Sequence, residues 1–240
     1  MIEIDSECLF MRHADVIPWL VGFAVLFAGA QRGVAQSRYT PPVERTDKDL
    51  PECTPVNYSA HPFDYRHPDS TALSHAEFYN QWQQHYVPAT DRMRRGDYSE
   101  PVMADLDFVM RHWPNHLPGL EALIQYGLAG GKSYEFDPVY CYLKRAHEFA
   151  PDDSGVLLHE GYYFWKTHDT VRAVEAYEAA LAVDPNSADA HYNLGLLYCD
   201  TREYDKALIH ARAAYDAGYP LPGLKQKLEK AGRWTETKPQ

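Results

Sequence analysis

Hydrophobic residues recur every three or four positions over much of the second half of the chain. The clearest run is VRAVEAYEAALAV, residues 171–183, whose apolar side chains fall on one face of a helix. Asp184-Pro185-Asn186 follows, and proline cannot continue a helix because it lacks an amide hydrogen. The pattern therefore predicts one helix that ends before Pro185 and a second that begins after it.

Small residues repeat along the chain with one spacing of 34 residues. The glycines are Gly127, Gly161 and Gly195, and the alanines are Ala146, Ala180 and Ala214, with Ala173 and Ala207 as a further pair. A period of this length is typical of solenoids that contain one helix pair per repeat. We expect the small residues to lie where paired helices cross closely.

The segment AHYNLGLLYCDTREYDKALIHARAAY, residues 190–215, resembles the tetratricopeptide repeat family. It contains the family's Leu-Gly, Tyr and Tyr-Asp-x-Ala-Leu in order. The units 154–187 and 188–221 depart from the family's pattern at their fourth position, where Leu157 and His191 replace the usual Trp. The resemblance implies an all-α fold, a right-handed superhelix of stacked antiparallel helix pairs.

The repeat divides the chain into units. We expect repeats at 154–187 and 188–221, a looser repeat at 120–153 and a degenerate helix pair at 74–119. Residues 222–240 are expected to form a capping helix and tail, because a stacked array must cover its last apolar surface. The stretch 36–73 has six prolines and no helical period, which predicts an irregular, extended arm.

The N-terminal segment predicts export. Residues 16–30 form an apolar run of fifteen residues without a charge, too short to span a bilayer comfortably but typical of a signal peptide. Cleavage after Ala35 would remove residues 1–35; the alternative is an uncleaved anchor. The stretch before the run is acidic, and a start at Met11 would restore the usual basic pattern.

A second resemblance concerns location. The motif HPFDYRHPD, with SHAEFYNQWQQHY and HWPNHLPGLEAL, is similar to a group of small exported bacterial tetratricopeptide proteins. It implies an exported protein, with the periplasm as the expected compartment or, with an uncleaved anchor, the periplasmic side of the inner membrane.

The cysteines allow one disulfide if the chain is exported to an oxidising compartment. Loss of residues 1–35 leaves Cys53, Cys141 and Cys199, of which two can pair. We prefer Cys53 with Cys141, since Cys199 falls within a predicted helix, where a small buried residue is suitable.

Charge and motifs argue against several functions. A formal net charge of −11 disfavours general binding to nucleic acid. The sequence Gly130-Gly131-Lys132-Ser133 ends like a phosphate-binding loop, but Tyr126 replaces its first glycine and a predicted helix precedes it. His112 and His116 have a metal-ligand spacing, yet Pro114 lies between them. We expect no catalytic residue, metal or cofactor.

The family resemblance also implies a peptide-binding surface on the concave face, lined by the first helix of each pair. The corresponding residues here are Ile124, Leu158, Tyr162, Trp165, Lys166, Tyr192 and Leu196. Because most are aromatic or aliphatic, the expected ligand is an extended or helical protein segment with apolar anchors. The alternative is that some of them pack in the core or against the cap or the arm.

Three functional hypotheses follow. The first is a non-catalytic interaction scaffold of the bacterial cell envelope. The second is a ligand- or metal-binding protein or an enzyme that uses the cluster His61, Asp64, Tyr65, Arg66 and His67. The third is a membrane-anchored assembly subunit, if the apolar segment is retained.

Overall fold

The computed structural model describes residues 50–55, 62–66, 82–131 and 135–234. They belong to a compact unit that runs from Thr46 to Gln240. Every regular element in these ranges is a helix, which confirms the expected all-α fold. The predicted signal segment, residues 1–35, lies outside the described residues.

The helices follow one another through short connections. A π-helical turn, Trp82–Tyr86, leads into the first of them. The α-helices are α1 (Val87–Arg94), α2 (Glu100–His112), α3 (Leu117–Leu128), α4 (Val139–Phe149), α5 (Ser154–Lys166), α6 (Thr170–Val183), α7 (Ala188–Asp200), α8 (Tyr204–Asp216) and α9 (Gly223–Lys230).

Helices adjacent in sequence pack against each other as a stack of antiparallel pairs. The most extensive contacts are between α5 and α6 and between α7 and α8, and α6 packs in turn on α7. Helix α9 lies against both α7 and α8. Among the described helices, none combines the length and the apolar character that crossing a membrane requires.

The ends of these helices repeat with the sequence. Asp153 and Ser187, 34 residues apart, cap α5 and α7 by accepting hydrogen bonds from the amides of Gly155 and Ala190. His168 and Arg202, also 34 apart, adopt positive φ values of 64° and 63° at the second residue after α5 and α7. Each forms the paired hydrogen bonds of a Schellman motif, which turns the chain into the next helix.

The recurring glycines lie where side chains of other helices approach the backbone. A β-carbon on Gly127 would be 2.8 Å from Val139, and one on Gly195 would be 2.5 Å from Leu224. The five repeated alanines are fully buried: Ala146, Ala173, Ala180, Ala207 and Ala214. Small side chains thus permit close contact between helices at these positions.

Residues 50–55 of the arm are linked to α4 and to the turn before it. A disulfide joins Cys53 to Cys141, the pair preferred from the sequence, and Cys199 is a buried free cysteine. Beside the disulfide, the Thr54 hydroxyl donates to the Asp137 carboxylate at 2.7 Å, and Arg145 donates to the Thr54 carbonyl at 2.9 Å while pairing with Asp137.

Candidate protein-binding surface

Three of the predicted binding residues form a partly exposed group at the end of α5. The ammonium of Lys166 lies 5.5 Å from the ring centre of Tyr162 and 5.4 Å from that of Trp165. These distances allow a cation–π interaction with each ring. Tyr162 also packs on one side against the hydrophobic core. The group therefore combines two large aromatic surfaces with one positive charge.

The other four predicted binding residues are buried within the chain. Their exposed fractions are 1% for Ile124, 8% for Leu158, 6% for Tyr192 and 3% for Leu196. Tyr192 stacks on Tyr219 with ring centres 4.0 Å apart, next to the start of the capping helix α9. In this conformation the accessible part of the predicted surface consists of Tyr162, Trp165 and Lys166.

A cavity of about 230 Å³ lies among α1, the turn after it and α3. Tyr86, Tyr98 and Glu121 are among its lining residues, and Gln125 donates a hydrogen bond to Glu121 at 3.1 Å. Burial, reinforced by the Glu121 carboxylate, raises the pKa of Tyr86 to about 12. The sequence does not indicate this cavity, because the degenerate unit that forms it has no clear repeat pattern.

The polar cluster of the arm forms an internal network. Asn115, which is fully buried, donates to Asp64 at 2.7 Å and to Asp153 at 3.1 Å, and it accepts from the Tyr65 amide at 2.9 Å. Arg66 pairs with Asp64 at 2.7 Å and with Asp152 at 3.0 Å. These contacts connect the arm to the turns that precede α3 and α5.

The charge states of this network follow from its hydrogen bonds. Donation from Arg66, assisted by Asn115, lowers the pKa of Asp64 to about 2, although partial burial opposes the shift. Asp64 is therefore ionised at neutral pH and accepts hydrogen bonds only. Asp64 and Arg66 hold the arm in place, whereas His61 and His67 of the same predicted cluster lie outside the described residues.

His112 and His116 do not share a helical face. Helix α2 ends at His112, and His116 lies beyond the proline turn, where its Nδ1 atom accepts from the Gly119 amide at 2.9 Å and caps α3. The His116 ring is fully buried against Tyr65 and Tyr86. Across the described ranges, no three His, Cys, Asp or Glu residues are grouped so that they could hold a metal ion.

Comparison with known proteins identifies the repeats. The family model described as tetratricopeptide repeat matches residues 158–220. Residues 158–220 contain tetratricopeptide repeats. Such repeats stack into extended surfaces for protein–protein interaction, and the fold supports this general role here.

Two solved structures are similar to this chain. The crystal structure of MamA shares 20% identity, with a TM-score of 0.46, and the match covers 60% of this chain and 85% of that one. TTC0263, a thermophilic tetratricopeptide repeat protein from Thermus thermophilus, shares 19% identity, with a TM-score of 0.46 and coverages of 60% and 77%. No curated protein matches the chain.

Proposed function

We propose that the protein is a non-catalytic interaction scaffold of the bacterial cell envelope that binds a segment of a partner protein through its repeats. The observation that carries this proposal is the accessible group Tyr162, Trp165 and Lys166 on α5. The family resemblance supports it, because the corresponding positions of related repeats line the ligand-binding face.

The chemistry of this group defines the kind of segment it binds. Tyrosine and tryptophan contribute large contact areas with few rotatable bonds, which is why they dominate binding energy at many interfaces. Lys166 adds a positive charge directly beside both rings. The expected ligand has an apolar anchor residue followed by an acidic group that pairs with Lys166.

Two features support a location outside the cytoplasm. The uncharged run at 16–30 is typical of a signal peptide. The Cys53–Cys141 disulfide belongs to the kind of bond that persists in oxidising compartments such as the periplasm. N-terminal sequencing of the protein from cells tests the export proposal. A chain that begins near Gln36 supports cleavage, and a chain that retains residues 16–30 supports the anchored assembly subunit instead.

Site-specific photo-crosslinking in cells tests the binding surface. A photoreactive phenylalanine analogue replaces Trp165 in one variant and Ile209 in another. Ile209 is the matched control, because it is a hydrophobic residue on α8 that is 66% exposed. We expect a discrete crosslinked partner from position 165 and none from position 209.

A charge-reversal variant makes this test specific. Introducing Lys166→Glu into the position-165 variant should weaken capture, because the reversed charge repels an acidic segment. Circular dichroism must show that helicity is retained. Equal capture from positions 165 and 209, or capture that is insensitive to Lys166→Glu, would overturn the proposed binding mode.

A further inference from the structure

His191 on α7 and His210 on α8 face each other across the last helix pair. Their Nδ1 atoms are 3.0 Å apart. The centres of the two rings are 5.2 Å apart. This distance is close to the sum of the nitrogen–nitrogen distance and the distances from each nitrogen to the centre of its own ring. Each Nδ1 atom therefore lies close to the line between the two ring centres, and the two nitrogens point toward each other.

The surroundings of His191 determine which of its nitrogens is available. Its Nε2 atom is 3.2 Å from the Pro185 carbonyl oxygen, which can only accept a hydrogen bond. Nε2 therefore carries the hydrogen in the neutral ring, and the Nδ1 lone pair accepts a hydrogen bond from Nδ1 of His210. A histidine whose second nitrogen donates to a backbone carbonyl is the usual arrangement at metal centres, because the carbonyl fixes the tautomer and the orientation of the ring.

The spacing of the nitrogens suits two ligands of one ion. Imidazole nitrogens bind Zn²⁺ at about 2.0–2.1 Å, so two of them on a tetrahedral ion lie roughly 3.3 Å apart. The observed 3.0 Å requires the nitrogens to separate by about 0.3 Å and each ring to tilt by roughly 35°, because the ion lies off the line along which the two nitrogens now point. Both side chains are partly exposed, so water can reach the remaining coordination positions.

We propose that His191 and His210 form a binding site for a divalent transition-metal ion, such as Zn²⁺ or Ni²⁺, which each ring ligates through Nδ1. Imidazole is a preferred ligand of these ions. Binding requires the hydrogen on His210 to move from Nδ1 to Nε2, so ligation by the two neutral rings releases no proton. The ion replaces the hydrogen bond between the rings and links α7 to α8.

The neighbouring charges are compatible with a cation. Lys206, on the same helix as His210, lies over the Tyr198 ring at 4.8 Å and donates to the Glu203 carboxylate at 2.5 Å, which offsets its charge. The Tyr198 ring lies nearly parallel to the His210 ring, with ring centres 5.6 Å apart.

Calorimetric titration of the full chain with ZnCl₂ at neutral pH tests the site, with the ring nitrogens of the histidines followed by NMR. We expect saturable binding of one ion by His191 and His210 and a large shift of both Nδ1 resonances. His191→Asn and His210→Gln should each weaken Zn²⁺ binding at least tenfold. The double variant should bind Zn²⁺ only slightly more weakly than either single variant, because one remaining histidine already contributes little affinity.

His168→Asn is the matched control. His168 is an exposed histidine at a positive φ, a conformation that asparagine tolerates. This variant should bind Zn²⁺ as the wild type does. Because His210→Gln also changes a packed residue, His191→Asn with unchanged circular dichroism is the deciding variant. Wild-type Zn²⁺ affinity in His191→Asn, or unshifted Nδ1 resonances at saturation, would overturn the proposal.

Discussion

The ring of Tyr177 on α6 lies directly over Gly161 on α5. A β-carbon at position 161 would be 2.6 Å from two atoms of this ring, a distance that real side chains do not reach. Tyr177 is fully buried, so the ring has no free space into which to move. The recurring glycine of this repeat is therefore required by the aromatic residue of the neighbouring helix.

Gly161→Ala should lower the free energy of unfolding by about 1–3 kcal/mol, the usual cost of overpacking a core. In an open helix the same substitution stabilises by up to about 1 kcal/mol, so the sign of the effect reports the contact with Tyr177. Urea denaturation measures it. Gly127→Ala is the comparison, because Gly127 is exposed and the side chain it would meet, Val139, is only partly buried and has room to move. A Gly161→Ala variant as stable as the wild type would contradict this account.

Tyr177→Phe should leave stability unchanged or raise it by about 1 kcal/mol. The Tyr177 hydroxyl is buried and makes no hydrogen bond to any residue that the structure describes, and burial raises its pKa well above the usual value. Removing a buried polar group of this kind removes its desolvation cost. Thermal unfolding of the two proteins provides the measurement. A clear loss of stability on substitution would show that the hydroxyl is satisfied in solution.

Asn115→Ala should destabilise the protein by about 2–4 kcal/mol, because it leaves a gap at a fully buried position and removes three hydrogen bonds, to Asp64, to Asp153 and from the Tyr65 amide. The same change should release the arm. Hydrogen exchange at the Tyr65 amide, which donates to Asn115, is the direct measurement. Exchange at Tyr65 should accelerate much more than at Ala180, deep in α6. Uniform acceleration at both positions would indicate global destabilisation without specific release of the arm.

Reduction of the Cys53–Cys141 disulfide should lower stability by about 2–4 kcal/mol, since the bond closes a long loop. Thermal melts with and without dithiothreitol provide the measurement. The double variant Cys53→Ser/Cys141→Ser should melt at the temperature of the reduced wild type and should not respond to the reductant. Cys199→Ala controls for the free thiol and should retain the full response. If the reductant does not change the melting of the wild type, the disulfide does not stabilise the fold.

Acid should destabilise the fold through His116. Burial lowers the pKa of His116 to about 3, below its ordinary value of 6.5. The unfolded chain therefore binds a proton that the folded chain does not bind, and the free energy of unfolding falls as the pH drops from about 6.5 toward 3. Protonation would also abolish the cap on α3, because a charged imidazole cannot accept from the Gly119 amide.

His116→Asn tests this pH dependence. Asparagine can cap α3 but does not titrate, so the variant should be less stable at pH 7, for lack of the ring, and should lose less stability on acidification. Urea denaturation between pH 7 and pH 4 measures both effects. His168→Asn should keep the wild-type slope. Equal slopes in the wild type and His116→Asn would exclude His116 as the group responsible.

The sequence pattern predicted the repeated helices well because the relevant signals are local. A helix such as α6 is encoded by apolar residues at three- and four-residue intervals and is ended by Pro185 shortly afterwards. The prediction of the binding surface was less complete. Tyr192 and Trp165 have the same kind of helical spacing, but the first is covered by Tyr219 and the second is partly exposed. Spacing within one helix does not reveal what other segments cover it.

The sequence by itself determined the repeat period, the all-α fold and the positions of close helix contact, because each repeat packs mainly on its neighbours in the chain. Only the tertiary structure decided which residues meet from distant segments. Asp64 reaches Asn115 across 51 positions, and His191 faces His210 from the next helix. Contacts of this kind depend on the angle and rotation at which whole helices pack, and these are set by the summed fit of many side chains and not by any local motif.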